Sequence, residues 1–116
     1  MYKMFLVFSL FLVTIICCQS NVVESYNYEK DTPVWLKVKI DSISTSDNNY
    51  YFGTEVYRYK WNDNFLFEFH IPLSSCMLCE LYYYNGTKTN FPNDKTVQKY
   101  LNNRTDKVHV WKLPEQ

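Results

Sequence analysis

The sequence lacks alanine entirely and has only two glycines among its 116 residues. Such a chain offers no glycine-rich loop of the kind that cradles a phosphate or a dinucleotide. An excess of one charge is also missing, because 12 Lys and Arg balance 12 Asp and Glu, so electrostatics gives no reason to expect nucleic acid as a partner. Aromatic residues are abundant, with 11 Tyr, 8 Phe and 3 Trp. They supply the bulk for the core of one small folded domain and argue against disorder.

The N-terminal residues 1–17 are predicted to be a bacterial lipoprotein signal peptide. A short basic start precedes an apolar stretch up to Ile16 that is shorter than the roughly 20 residues of a membrane-spanning helix. The Ile-Ile-Cys-Cys that ends it resembles a lipobox, which makes Cys18 the predicted site of lipid attachment and Cys17 the alternative. We therefore expect a lipoprotein of the bacterial cell envelope, held in the outer membrane by its fatty acids, palmitate among them. A secreted protein, which two N-glycosylation sequons would permit, is the alternative.

The remainder of the chain is expected to contain a tether, residues 18–32, and a single domain, residues 33–116. Its first element is predicted to be a helix, because Leu36, Ile40 and Ile43 fall at helical spacing. An N-cap at Asp31 or Thr32 with Pro33 at the first helical position agrees with this. Alternating Val and Lys residues in the same stretch leave a strand as the alternative.

A first β-hairpin is predicted after this helix. A three-residue turn at Asn62–Asn64 would pair Tyr59 with Phe67 and align the aromatic residues of both strands on one face. That face would be a buried aromatic ladder. The opposite face would be exposed to solvent and would carry an ion pair between Arg58 and Glu68.

A second hairpin is predicted around the Asn85-Gly86 turn, between Leu81–Tyr84 and Thr87–Phe91. A short helix capped by Asn93 or Asp94 and a last strand at Val108–Trp111 follow. The prediction is an α+β fold, in which helices pack on one face of a small antiparallel sheet of about five strands.

Several of these segments resemble a family of short Bacteroidota lipoproteins of unknown function. They are Trp35–Ile40, Val56–Tyr59, the cysteine-containing loop before Leu81-Tyr82, and Gly86. The family pattern is W-L-x-x-K-I, V-Y-R-Y, a Cys-rich loop and an L-Y segment followed by Gly, and the likeness covers residues 33–92. The resemblance implies a lipoprotein with a helical first element, and it implies no activity. This chain differs from the family pattern in that its loop cysteines are separated by two residues and its C-terminal part lacks the Gly-rich tail.

The only spacing with potential chemistry is the pair Cys76 and Cys79. In an exported protein a local disulfide is the first expectation, and a redox-active pair, a metal site completed by His70 or His109, and free thiols are the alternatives. A redox centre needs its first cysteine at a helix N-terminus, whereas Cys79 leads directly into a predicted strand. The sequence predicts no catalytic residue, no metal and no cofactor.

Two functional hypotheses follow. The first is a non-enzymatic, lipid-anchored module that binds an envelope protein or glycan, with Tyr82, Tyr84 and Glu80 as its candidate contact surface. The alternative is a small envelope thiol–disulfide protein acting through the cysteine pair. An acid–base pair of Glu68 and His70 is disfavoured, because no nucleophile or second carboxylate stands near them in the sequence.

Overall fold

A computed structural model describes residues 25–115, which form a four-stranded antiparallel sheet covered by helices. The elements in chain order are α1 Tyr28–Asp31, α2 Val34–Ser44, a 3-10 turn Asn49–Tyr51, β1 Glu55–Trp61, β2 Asn64–His70, β3 Leu81–Tyr83, α3 Asp94–Asn103 and β4 Thr105–Lys112. The strand order is β3-β2-β1-β4. The predicted α+β class is confirmed, with four strands in place of about five.

The missing strand is the return of the second hairpin. Gly86 has a φ of 91°, a conformation that glycine adopts without strain, and it turns the chain after β3 as predicted. The chain beyond it makes only one isolated bridge, between Tyr82 and Lys88. The return therefore contacts β3 over a short stretch and leaves it before Pro92 without forming a strand.

Helix α2 begins one residue later than predicted. Pro33 occupies the N-cap position, and the helix has no side-chain cap. The hydroxyl of Thr32, one of the two expected caps, instead shares a hydrogen bond of 2.7 Å with the Tyr26 hydroxyl. The predicted inward face is confirmed, because the side chains at all three helically spaced positions are buried.

The turn of the first hairpin is shorter than predicted, and this changes the pairing of its strands. Asn62 and Asp63 have φ values of 49° and 61°, as a two-residue type I′ turn requires. Tyr59 therefore lies opposite Leu66, and Tyr57 lies opposite Glu68. The predicted partners Tyr59 and Phe67 point to opposite faces of the sheet, and the same is true of Arg58 and Glu68.

The sheet is buried on both faces, not on one as predicted. Helix α2 covers the face that carries Phe67 and Phe69, and α3 covers the face that carries Leu66. The N-cap predicted for α3 is confirmed, since the Asn93 side chain accepts a hydrogen bond from the Thr96 backbone. Because residues of both faces are covered, four consecutive residues of β2, 66–69, are buried.

Packing also reaches into the stretch that was expected to be a tether. Tyr26 and Tyr28 pack against the core beneath α2, so the packed part of the chain extends ahead of Pro33. The predicted signal peptide and the predicted lipid-attachment residues, Cys17 and Cys18, lie outside the described residues. None of the helices within residues 25–115 has the length and apolar character needed to cross a bilayer.

Candidate functional site

The three residues of the candidate contact surface have different environments: Tyr82 and Glu80 pack against α2, whereas Tyr84 is exposed. The Tyr82 ring packs 5.5 Å from Trp35 and 5.9 Å from Phe69, measured between ring centroids. Its hydroxyl donates to Glu80 at 2.5 Å and accepts from Lys39 at 3.1 Å. Burial raises the pKa of Glu80, but the hydrogen bonds from Tyr82 and Lys39 and the lysine charge outweigh it and leave the pKa lowered. Tyr82 and Glu80 therefore connect β3 to α2.

Tyr84, by contrast, is 49% exposed. Its backbone is fixed by α2, because the Trp35 indole N–H donates to the Tyr84 carbonyl at 2.8 Å. Its side chain borders two grooves. We call the first, of about 230 Å³, the Tyr84 groove, and it is lined by Lys30, Asp31, Arg58, Phe65 and Tyr84. The second adjoins it through Tyr84 and is lined also by Asn64, Tyr83 and Asn85.

Within the Tyr84 groove, Arg58 lies between two aromatic rings. Its guanidinium carbon lies 4.2 Å from the centroid of the Phe65 ring and 4.9 Å from that of Tyr26. Its Nε is buried and has no hydrogen-bond partner among residues 25–115. The predicted ion pair with Glu68 is wrong, since the two side chains lie on opposite faces of the sheet. The structure thus holds a cation between aromatic rings with part of its hydrogen-bonding capacity unused.

On the other face of the sheet, Glu68 is buried, with 1% of its surface exposed. Its Oε1 accepts hydrogen bonds from the Tyr100 hydroxyl, at 2.5 Å, and from the Arg104 guanidinium. Its Oε2 lies 2.8 Å from Nε2 of His70. The Arg104 guanidinium also lies over the ring of Tyr59, at 4.1 Å from its centroid. The sequence prediction of a solvent-exposed Glu68 is wrong.

The Glu68 carboxylate is stabilised in its charged form. Burial alone raises its pKa, but the hydrogen bonds from His70 and Tyr100, together with the Arg104 charge, outweigh burial and lower it. The pKa of the Tyr100 hydroxyl is raised, first by burial and then by its bond to this carboxylate. Since both carboxylate oxygens are engaged, the cluster serves to join α3 and the start of β4 to the sheet.

His70 is the exposed end of this cluster, with 40% of its side chain accessible. It borders a groove of about 200 Å³ that Ser74 and Cys76 also line. The Ser74 hydroxyl hydrogen-bonds to the backbone of Cys76, donating to its carbonyl and accepting from its N–H. The structure thus brings Glu68 and His70 together, while the nearby hydroxyl is engaged within its own loop.

A cluster around Tyr57 was missed from the sequence. Its ring lies 5.0 Å from that of His70 and 5.2 Å from that of His109, and its hydroxyl donates to Glu55 at 2.8 Å. The Lys107 ammonium lies 4.5 Å from the ring centroid. Asn62-Asp63, a sequence suited to a type I′ turn, was the signal that could have placed these side chains on one face. Within residues 25–115, no three His, Cys, Asp or Glu side chains are arranged to hold a metal ion.

The structure places Cys76 and Cys79 as the predicted disulfide pair, with their Cα atoms 5.5 Å apart. Both are exposed, and they lie in the irregular segment between β2 and β3. Neither stands at the N-terminus of a helix, the position that lowers a thiol pKa. Leu78, between them, packs against the core beneath α3. The pair therefore closes a loop that anchors itself on this core before β3.

No protein-family model, no curated protein and no solved structure matches this chain. The resemblance to short Bacteroidota lipoproteins therefore stays a prediction from the sequence.

Proposed function

We propose that this protein is a lipid-anchored binding module of the bacterial cell envelope whose contact site is the Tyr84 groove. The predicted signal peptide and lipobox support the anchoring. The observation that carries the binding role is the exposed Tyr84 beside Arg58, a cation that has no ion-pair partner within residues 25–115. Aromatic rings and arginine together are typical of the residues that contribute most to binding.

The position of the groove favours contact with a partner. It is formed by α1, the middle of β1, the start of β2 and the residue that follows β3. Tyr84 is held there by the hydrogen bond from Trp35 to its backbone, and by packing of its ring 6.1 Å from that of Phe67. A contact residue that is already ordered loses little conformational entropy when it binds. The exposed ring of Tyr84 is thus held in place by its neighbours before a partner binds.

The anchoring part of the proposal is tested at Cys18. In the full chain, Cys18→Ala is expected to abolish incorporation of labelled palmitate and to shift the protein out of the membrane fraction, because the acyl chains contribute about 0.8 kcal/mol of membrane affinity per buried methylene. Cys17→Ala, the matched control, is expected to remain lipidated. Lipidation that depends on Cys17 would contradict the assignment of Cys18. Failure of the wild type to incorporate the label would contradict the lipoprotein proposal.

The binding part is tested by Tyr84→Ala. Full-length protein purified from membranes in detergent is incubated with an envelope extract, and bound polysaccharide and bound protein are quantified separately. We expect Tyr84→Ala to weaken binding about tenfold, because loss of a central aromatic contact costs more than about 1 kcal/mol.

Tyr50→Ala is the matched control for that experiment. Tyr50 is 38% exposed and packs on Tyr51, with ring centroids 5.2 Å apart, and it does not line the Tyr84 groove. It is expected to bind like the wild type. Equal binding by the Tyr84 variant and the wild type would contradict the assignment of the contact site.

A further inference from the structure

We propose that the Tyr84 groove binds an acidic sugar of an envelope polysaccharide, with Arg58 pairing to the sugar carboxylate and Tyr84 packing against the sugar ring. This inference rests on the proposed function and names the chemical class of its ligand. Three features of the groove carry it: the balance of charge, the hydrogen-bonding state of Arg58, and the aromatic and amide groups beside it.

The balance of charge in the groove favours an anion. Its lining contains two cations, Lys30 and Arg58, and one carboxylate, Asp31. That carboxylate is engaged within α1, where its Oδ2 accepts a hydrogen bond of 2.8 Å from the backbone of Asn27. The only ion pairs formed by residues 25–115 leave Lys30 and Arg58 out. An anionic ligand would therefore meet two cations that have no competing carboxylate partner in this part of the chain.

The chemistry of Arg58 favours a carboxylate as the anion that it binds. The rings of Phe65 and Tyr26 flank its guanidinium and partly shield it from water. A planar guanidinium presents a fork of N–H donors that matches the two oxygens of a carboxylate. Its Nε is buried, so the donors that a ligand can reach are those of the two terminal Nη atoms, and these would meet the two carboxylate oxygens.

The surroundings of Arg58 favour a sugar as the carrier of that carboxylate. Tyr84 and Phe65, which are 49% and 37% exposed, offer ring surfaces on which the apolar C–H face of a sugar can be buried. Asn64 and Asn85 line the adjoining groove, and their amides both donate and accept hydrogen bonds, as sugar hydroxyls do.

The size of the groove agrees with one sugar unit of a longer chain. Its volume of about 230 Å³ is smaller than the roughly 300–1,000 Å³ of pockets that enclose a complete drug-sized ligand. Because the second groove adjoins the first through Tyr84, neighbouring units of an oligosaccharide could continue across that ring. The geometry thus fits an oligomer with an acidic unit seated beside Arg58.

The test uses the full chain, purified in detergent, and isothermal titration with two probes of equal length: an oligogalacturonate and a neutral oligosaccharide. We expect the acidic probe to bind at least about tenfold more tightly than the neutral one, and its affinity to fall as salt is added. Arg58→Gln is expected to remove this preference. Arg58→Lys, which keeps a charge but lacks the planar fork, is expected to lose most of it.

Lys99→Gln is the matched control, because it removes one exposed cation of α3 that lines neither groove, and it is expected to bind like the wild type. If Arg58→Gln fails to fold, the Arg58→Lys variant carries the test of the preference, and Tyr84→Ala is expected to weaken the binding of both probes. Equal binding of the two probes, or a preference unchanged in the Arg58 variants, would overturn the inference. Binding of a peptide carboxylate in place of the sugar would overturn it as well.

The outcome separates this inference from the proposed function. Retention of an envelope component that depends on Tyr84, without binding of the acidic oligosaccharide, refutes only the ligand class. If no envelope component binds in a way that depends on Tyr84, both the proposed contact site and the acidic-sugar inference are refuted.

Discussion

Replacement of Glu68 by alanine is expected to lower the free energy of unfolding by about 3 kcal/mol or more, as the loss of one member of a buried ion pair does. The substitution would leave the Tyr100 hydroxyl, which is fully buried, without its acceptor. It would also leave the Arg104 guanidinium, mostly buried against Tyr59, without its carboxylate. The measurement is the midpoint and slope of denaturation by urea.

Glu29→Ala is the matched control, because it removes a carboxylate that is exposed and pairs with Lys37 at 3.5 Å. An exposed pair contributes less than about 1 kcal/mol, so this variant is expected to unfold close to the wild type. Similar losses in the two variants would contradict the role of the buried cluster.

Glu68→Gln gives the same prediction a second readout, the pH dependence of stability. The pKa of Glu68 is lowered in the folded protein because its hydrogen bonds and the Arg104 charge outweigh burial. Its stabilising contribution is therefore complete above its unfolded pKa of about 4.3 and is lost as pH falls through the lower folded value. Wild type should lose stability more steeply than the Gln variant on acidification below that pH. Parallel curves would show that the carboxylate does not supply this stability.

Much of the local structure was predictable from the sequence. The helical spacing of Leu36, Ile40 and Ile43 correctly placed α2, because an amphipathic pattern requires only a surface on which to pack. Asn93 was one of the two predicted caps of α3, with Asp94 as the other, and its side chain accepts a hydrogen bond from a free N–H of the first helical turn. These signals depend on neighbouring residues alone.

The pairing of β1 with β2 was not predictable with the same certainty, because a turn of two residues and a turn of three both produced aromatic faces. The choice of three residues was wrong by one position, and a shift of one position exchanges the faces of a strand. Glu68 was therefore assigned to solvent and Tyr57 to the core. The alternation of apolar residues with Glu68 in β2 indicated that one face of the strand is exposed. In the structure both faces are covered, because Tyr100 and Arg104, which are distant in sequence, pack on Glu68.

The candidate site was partly predictable. Alternation along its strand placed Tyr84 on the same face as Tyr82 and Glu80, as one of two sets of side chains of which one could be exposed, and the structure leaves Tyr84 exposed. The remaining lining comes from α1 and from the hairpin of β1 and β2, so it depends on tertiary contacts that no local pattern contains. Arg58 in particular was assigned to the wrong partner, and its position between Tyr26 and Phe65 requires the correct pairing of the strands.

The largest expected effect on stability is that of Phe67→Ala. Phe67 is fully buried beneath α2, and its ring packs edge-on to Trp35 at 6.0 Å, so its truncation is expected to cost about 3–5 kcal/mol. A domain of this size has about 5–15 kcal/mol in total, so the variant should be close to unfolding. Phe65→Ala is the matched control on the same face of the same strand. Because Phe65 is 37% exposed, it should lose much less, and thermal unfolding of both variants measures the difference. Equal losses would contradict the placement of Phe67 in the core beneath α2.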